Sequence, residues 1–552
     1  MEEFWGTLYS INRNSLYISC KTSNLVGLLT VMESRKHLSA KGLFTLIHDK
    51  FTKINSPRSI AKRSEIELVD CLMSGLAMFS MKSPSLLQFE DQANKGGTIK
   101  RNLRTLYQID QVPSDTYLRE RLDEVNPREV RKIFKCVFAQ VQRGKVLEEY
   151  THLDGHYLMP MDMTGFFSSS TIRCQNCCVK KHNKPKIILL DKIPKDITLY
   201  EKNTYLFCRN IYLSWELFYI DETNEMLSID MQLPLELKND FFGKKRKDLN
   251  AKHKKKAKEM ITAYHESQFN NGVTHYHNMM CAAIVHPDKK IVIPLAPEPV
   301  LKTDGATKND CELNAAKRLI ADVRREHPHL KLIAVQDALG ANYPNLLELK
   351  FADIRFIVGV KPDNHKELFN LVNTDVCQEY QHETSDGKTH RYRYINDVPL
   401  NRNACFNVNF IEYWQTDKNG VVKHFSWVTD IPITNENVYQ LMRGGRANWR
   451  IENHVFNTLK NQGYHFSHNF GHGYQHLCSN FGMLLMLAFF VDQVQELCCE
   501  LFKKARAEYR TRIGLWTKMK SLFHEYIIGS WDDLYNAIAY GQKEVQLIPD
   551  TS

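Results

Sequence analysis

Two runs decide how this chain is read: Lys331-Leu-Ile-Ala-Val-Gln-Asp337-Ala-Leu-Gly-Ala-Asn342 and, further on, Arg355-Phe-Ile-Val-Gly-Val-Lys361. Both open on short apolar stretches carrying β-branched residues, the composition of a buried strand. The first strand ends at Asp337, and Ala338–Asn342 then lets the backbone turn. Ahead of them a helix is predicted with Leu313, Ala316, Leu319, Ile320 and Val323 on one face. Strands alternating with helices imply a βαβ arrangement, whose sites gather at the carboxyl ends of strands. Asp337 sits at such an end.

Working outward, Tyr157-Leu-Met-Pro-Met-Asp162-Met-Thr-Gly-Phe-Phe167 is a second apolar run with one aspartate inside it, followed by Ser168, Ser169, Ser170 and Thr171. A carboxylate there is costly unless it is paired or binds a cation. Asp154, in Leu153-Asp154-Gly155, reads instead as a turn. Downstream, Asn448–Tyr464 puts Glu452 in a helix-like segment with Arg443, Arg446, Arg450 and Lys460. Trp449, Ile451, Val455, Phe456 and Leu459 follow helical spacing, so one face is expected to pack. Glu452 alone would read as a solvated salt-bridge partner. Its weight comes from the two aspartates upstream.

The 552 residues suffice for two to four domains with sizeable cores. Lys+Arg 73 against Asp+Glu 63 gives +10, which admits a polyanionic partner. Fourteen cysteines without framework spacing suit a reducing cytosol. The start, Met1-Glu2-Glu3-Phe4-Trp5, lacks the apolar core of a signal peptide. The apolar run Phe481–Val491 has 11 residues, too few to span a bilayer, and is expected to be a buried helix. The expectation is a soluble cytoplasmic, nucleoid-associated protein with no membrane partner. No G-x4-G-K-[ST] loop occurs, so nucleotide hydrolysis is not supported.

Residues 1–150 read as a helical, DNA-binding region. Asn126-Pro127-Arg128-Glu129 is a helix start, followed by Val130, Ile133, Phe134, Val137, Phe138 and Val141 on one face. Ser114-Asp115 opens a shorter helix with Leu118, Leu122 and Val125. Cations within Lys95–Arg104 and Arg119–Lys135 offer basic faces for duplex DNA or a solvated surface. Residues 151–375 form the first part of an α/β core, interrupted by an insertion at 183–270 that ends in Lys244, Lys245, Arg246, Lys247, Lys252, Lys254, Lys255, Lys256 and Lys258. That block is either a solvated tract or a grip on phosphates. A hairpin is expected around His286-Pro287-Asp288-Lys289. Residues 376–435 are a β-rich insertion, 436–480 the core helix with Glu452, and 481–552 a helical C-terminal region. Cys174-x2-Cys177 with His182, and with His275 or His277, offers a structural Zn2+ site, a weak signal without a second cysteine pair. His468, His472 and His476 repeat every fourth residue, but Gly471 and Gly473 interrupt a helix there.

Asp162, Asp337 and Glu452 thus stand out, 175 and then 115 residues apart. Hard divalent cations favour carboxylate oxygens, and two such ions can activate one oxygen and stabilise another in phosphodiester displacement.

These residues resemble a known family. Asp162-Met-Thr-Gly-Phe-Phe-Ser-Ser with Cys174-x2-Cys177, Ile284-Val-His-Pro-Asp288, Ile293-Pro-Leu-Ala-Pro-Glu-Pro299 and Asp304-Gly-Ala-Thr-Lys-Asn-Asp-Cys-Glu312 look like bacterial insertion-sequence DDE transposases of the cut-and-paste type. So do Val335-Gln-Asp337 and Trp449-Arg-Ile-Glu452-Asn with Asn457-Thr-Leu-Lys-Asn-Gln-Gly-Tyr464. The resemblance covers roughly 110–182 and 274–480. It implies an RNase H-like catalytic core with a β-rich insertion before the glutamate. It also implies Mg2+-dependent (Mn2+ substituting) cleavage and strand transfer at terminal inverted repeats, on double-stranded DNA and into target DNA, by a dimer. Asp162, Asp337 and Glu452 carry over as catalytic metal ligands, and Arg446, Arg450 and Lys460 as DNA contacts. The chain departs from the family pattern at Met163 (usually Gly), at Gly445 and Asn448 (Tyr and Arg in the signature), and at Leu459 (Lys, here displaced to Lys460). Two alternatives stand beside this reading: a related metal-dependent DNA nuclease, and a catalytically lapsed DNA-binding remnant.

Overall fold

The computed structural model describes residues 35, 37–55, 66–95, 97–181, 186–221, 223–229, 241–269, 273–305, 308–374, 377–384, 387–401, 406–541 and 547–549. His182 and Cys405 therefore lie outside the described residues, as does the start of the N-terminal region. The chain divides into two compact units. One holds the described residues up to Phe167, Cys174–Asn176, and those from His277 on; the other holds Ser168–Arg173 and Cys177–Tyr276.

The first unit is built on a sheet whose centre is β1 (Tyr157–Ser169). β1 lies antiparallel to β2 (Val273–Ile284), with Val285 N donating to Leu158 O at 3.0 Å. β2 pairs in turn with β3 (Glu298–Val300), Asn278 facing Val300. On its other side β1 runs parallel to β4 (Leu332–Gln336), and β4 parallel to β5 (Arg355–Gly359). The order is β3-β2-β1-β4-β5. All five residues of β4 are buried, as a parallel strand covered on both faces requires. The expected hairpin forms, its return limited to Ile293–Pro294 against Ala283 and Ile284.

The β-rich insertion adds four antiparallel strands, β6 (Gln378–Glu383), β7 (Thr389–Pro399), β8 (Asn407–Thr416) and β9 (Val422–Thr429). β9 joins the core sheet against β5, pairing Thr429 with Ile357. The turn between β8 and β9 closes with Gly420 N on Asp417 O at 2.9 Å, and Gly420 has φ +79°.

Helices follow their sequence signals. Asn126 caps Pro127–Arg143 by accepting from Arg128 N at 3.0 Å, and all six apolar positions named for that helix are buried. The cations nearby fall into a buried group and an exposed one. Arg131 is 2% exposed and bonds Glu326 at 2.7 Å, with Asp322 at 3.3 Å and Glu298 at 3.4 Å. Arg121 is also buried, and Arg128 pairs with Asp322. A buried charge needs partners to offset its desolvation, so Arg131 braces its helix on the core, while Arg128, Lys132 and Lys135 on the same helix and Lys100, Arg101 and Arg104 upstream are exposed.

Leu477–Cys498 is the central C-terminal helix, with Leu477–Gln495 buried throughout. It is long and apolar enough to cross a membrane, yet its apolar window is wholly buried in the protein. Inside it Asp492 Oδ2 accepts from Lys82 Nζ at 2.6 Å and from the Tyr464 hydroxyl at 2.7 Å.

The second unit has its own four-stranded sheet, Lys186–Leu190, Thr204–Arg209, Trp215–Ile220 and Met226–Ile229 in that order, the first pair parallel. Helix Ala251–Phe269 buries Ala257 and Ile261 against Tyr205, Phe207, Trp215 and Leu217. Its Lys252, Lys255, Lys256 and Lys258 are exposed. The cationic tract is thus a helix with one face packed and one face charged.

Candidate active site

Asp337 stands directly after β4, at its carboxyl end, with Oδ1 accepting from Leu339 N at 3.0 Å. The turn behind it is fixed from within: Asn345 Nδ2 donates to Gln336 Oε1 at 2.7 Å and to Gly340 O at 2.8 Å. Gly340 has no room for a side chain, since a Cβ there would fall 2.5 Å from Gln336 Oε1. These bonds hold the loop so that the Asp337 carboxylate faces solvent.

Asp162 lies within β1. The β1–β4 register runs from Tyr157 and Leu332 to Pro160 and Val335, so each aspartate follows the last pair by two residues. Met163 N donates to Asp162 Oδ1 at 2.7 Å. Met163 is not among the residues with positive φ, so nothing in the backbone calls for the glycine of the family pattern.

Glu452 is exposed on a π-helical turn, Ile451–Phe456. Such turns widen a helix locally and recur at functional sites. Ile451, Val455, Phe456 and Leu459 are buried, as their spacing predicts. Trp449 is not: it is 43% exposed, with the Arg450 guanidinium 4.5 Å above its ring.

Asp337 and Glu452 line one open cleft of about 490 Å³, together with Lys361, His424, Arg446 and Trp449. Its roof, helix Val438–Arg446, approaches the sheet so closely that a Cβ on Gly445 would sit 2.6 Å from the Trp427 ring. That contact accounts for the departure at position 445. Trp427 fills the space a tyrosine would need.

The expected DNA contacts fall in three settings. Arg446 lines the cleft, with Nη1 donating to Gln415 Oε1 at 2.8 Å and its guanidinium 5.2 Å from the Phe425 ring. Arg450 is 7% exposed, its guanidinium bonded to Pro287 O and, at 2.8 Å, to His454 Nε2. Its donors point inward. Lys460 is exposed, and both it and Asp162 act electrostatically on the buried Cys281 thiol, whose pKa burial raises. Lys361 and His424 are not singled out by the sequence, and Trp449 enters there only as a packing residue. Lys361 carries a signal, because it directly follows the apolar run of β5.

For the zinc expectation, Cys174 Sγ lies 3.4 Å from His277 Nε2, and His277 and His472 have ring centroids 5.0 Å apart. His275 is not in this group, nor are His468 and His476.

No protein-family model matches the chain, and no curated protein does. Among solved structures, the cryo-EM structure of a piggyBac transposase synaptic complex with hairpin DNA aligns with 95% of this chain and 82% of that one. The identity is 9% and the TM-score 0.35.

Proposed function

We propose that this chain is a DDE transposase with an RNase H-like core, cleaving DNA at terminal inverted repeats and joining the freed ends to target DNA. The observation that carries the reading is the convergence of Asp337, from a strand end, and Glu452, from a π-helical turn, on one cleft, with Asp162 on the neighbouring strand two residues beyond its last pair with β4. The strand order β3-β2-β1-β4-β5, with antiparallel pairs followed by parallel ones, supports the RNase H-like assignment.

The donor set is all carboxylate, which fits Mg2+ or Mn2+ and disfavours softer metals. Asp162, Asp337 and Glu452 would hold the ions. When bound, they supply an activated water oxygen and charge stabilisation for the oxygen that leaves. The remaining chemistry belongs to the chain. Arg446 and Lys361 present positive charge along the cleft to phosphate oxygens. Trp449 offers an exposed ring on which an unstacked base can lie. In the first reaction a water oxygen bonds to phosphorus while the bridging 3′ oxygen leaves and takes a proton, freeing a 3′-hydroxyl. In the second that hydroxyl oxygen bonds to a target phosphorus, and the target's own 3′ oxygen leaves.

End-labelled DNA flanking the gene, incubated with protein and Mg2+, tests this. Nicks at an inverted repeat together with joined products are expected, and both disappear in Glu452→Gln. Nicks without joining would indicate a nuclease, and binding without nicks a lapsed remnant.

A further inference from the structure

We infer that Cys174, His277 and His472 hold a zinc ion that ties the segment leaving β1 to β2 and to the stretch following the Glu452 helix. Cys174, His277 and His472 bring their donor atoms within 4.8 Å of one another. A zinc ion with Zn–S of about 2.3 Å and Zn–N of about 2.1 Å holds its sulfur and nitrogen roughly 3.6 Å apart in a tetrahedron. The 3.4 Å between Cys174 Sγ and His277 Nε2 matches that spacing. Gln175 and Asn176 form a turn after Cys174. A thiolate with two imidazoles is a donor set that zinc favours. This set shares no residue with the carboxylate cleft.

The residues around the ligands show what the ion would join. His277 is on β2, beside β1. His472 lies in the non-helical stretch between the Glu452 helix and Leu477–Cys498. That stretch is shaped to deliver its histidine. Gly471 and Gly473 have φ of +135° and +66°, and a Cβ on Gly473 would collide with Asp123 Oδ1. Asp123 in turn accepts from the backbone N–H of Tyr474, Gln475, His476 and Leu477 at 2.8–2.9 Å. On β1, Phe166 stacks near His277 (5.9 Å) and Phe466 (5.5 Å), four residues beyond Asp162. The ion would therefore fasten three segments, two of which follow elements that carry proposed catalytic carboxylates.

Elemental analysis of the full-length protein, purified without chelator, is expected to give one zinc per chain. Growth in cobalt is expected to give the thiolate-to-cobalt charge-transfer bands of a sulfur-ligated tetrahedral ion. Cys174→Ser and His472→Gln should each lose the zinc. Asp337→Asn and Glu452→Gln should keep it, which separates this site from the carboxylate cleft even where no DNA cleavage is found. Chelation of the wild type should expose an additional reactive thiol, absent in Cys174→Ser. Wild-type protein free of zinc and cobalt bands would overturn the assignment without recourse to any variant. So would zinc retained in full by both ligand variants.

Discussion

The two units hold positive charge in different settings. In the first, some arginines are turned inward beside others that are exposed: Arg121 and Arg131 are 0% and 2% exposed, and Arg318 bonds Glu298 at 2.8 Å and Asp304 at 3.0 Å. In the second, Lys252, Lys255, Lys256 and Lys258 stand in solvent along a helix whose other face is packed. A planar guanidinium can satisfy several carboxylates at once, whereas an ammonium is a compact, strongly hydrated charge. Net charge alone therefore says little about where a polyanion would dock. Arg131 braces its helix on the core, whereas Lys100, Arg101, Arg104, Arg128, Lys132 and Lys135 of the first unit are exposed, as is the lysine tract of the second.

The sharpest way to break this contrast is to remove one member of a buried pair. Lys82 and Asp492 have side chains only 1% and 7% exposed. Lys82→Met leaves the Asp492 carboxylate buried without its cation, and should cost about 3–5 kcal/mol in urea unfolding. Lys82→Met/Asp492→Asn should recover part of that loss. If the single variant costs under ~1 kcal/mol, the pair is not a brace.

A smaller loss is expected at the roof of the cleft. Gly445→Ala forces the new methyl against Trp427 and should destabilise the protein by about 1–3 kcal/mol, as overpacking does. An unchanged melting temperature would show that the helix can lift away.

The buried network also implies a pH response. Burial, reinforced by Lys135 and Arg131, lowers the His327 pKa to about 4, and its ring lies 4.4 Å from Phe138. Unfolded histidine titrates near 6.5, so between about 6.5 and 4 the unfolded chain binds the extra proton. The stability linked to His327 is therefore complete above that window and lost as pH falls through it. Replacement by Gln should flatten this part of the pH–stability curve, and an unchanged curve would remove His327 as its source.

The smallest effect on stability belongs to the second unit. Changing Lys252, Lys255, Lys256 and Lys258 together to Gln should leave unfolding within about 0.5 kcal/mol per site. If this helix grips DNA, the same change lowers the salt dependence of binding by roughly 0.9 in log–log slope for each phosphate no longer neutralised. An unchanged slope would place the DNA elsewhere.

Much of the local structure was legible because local rules govern it. Asn126-Pro127 starts its helix, Asp154-Gly155 turns with φ of +48° and +75°, and the two apolar runs around Asp337 become β4 and β5. What escaped depends on distant partners. Nothing within Asn448–Tyr464 reveals that Arg450 turns inward to Pro287, leaving Trp449 exposed under its guanidinium. Gly445 acquires its reason only when Trp427 arrives from β9. His472 could not be matched to Cys174 from spacing, because nearly 300 residues separate them. That the strands of Asp162 and Asp337 are parallel neighbours required the β1–β4 register.

A Mn2+ titration followed by electron paramagnetic resonance asks most directly whether Asp162, Asp337 and Glu452 hold a shared cation site. Wild-type protein should bind Mn2+. Asp162→Asn, Asp337→Asn and Glu452→Gln, each with an unchanged circular dichroism spectrum, should each bind it at least about tenfold more weakly, a loss of roughly 1.4 kcal/mol or more. Wild-type affinity in all three variants would contradict the assignment of these carboxylates.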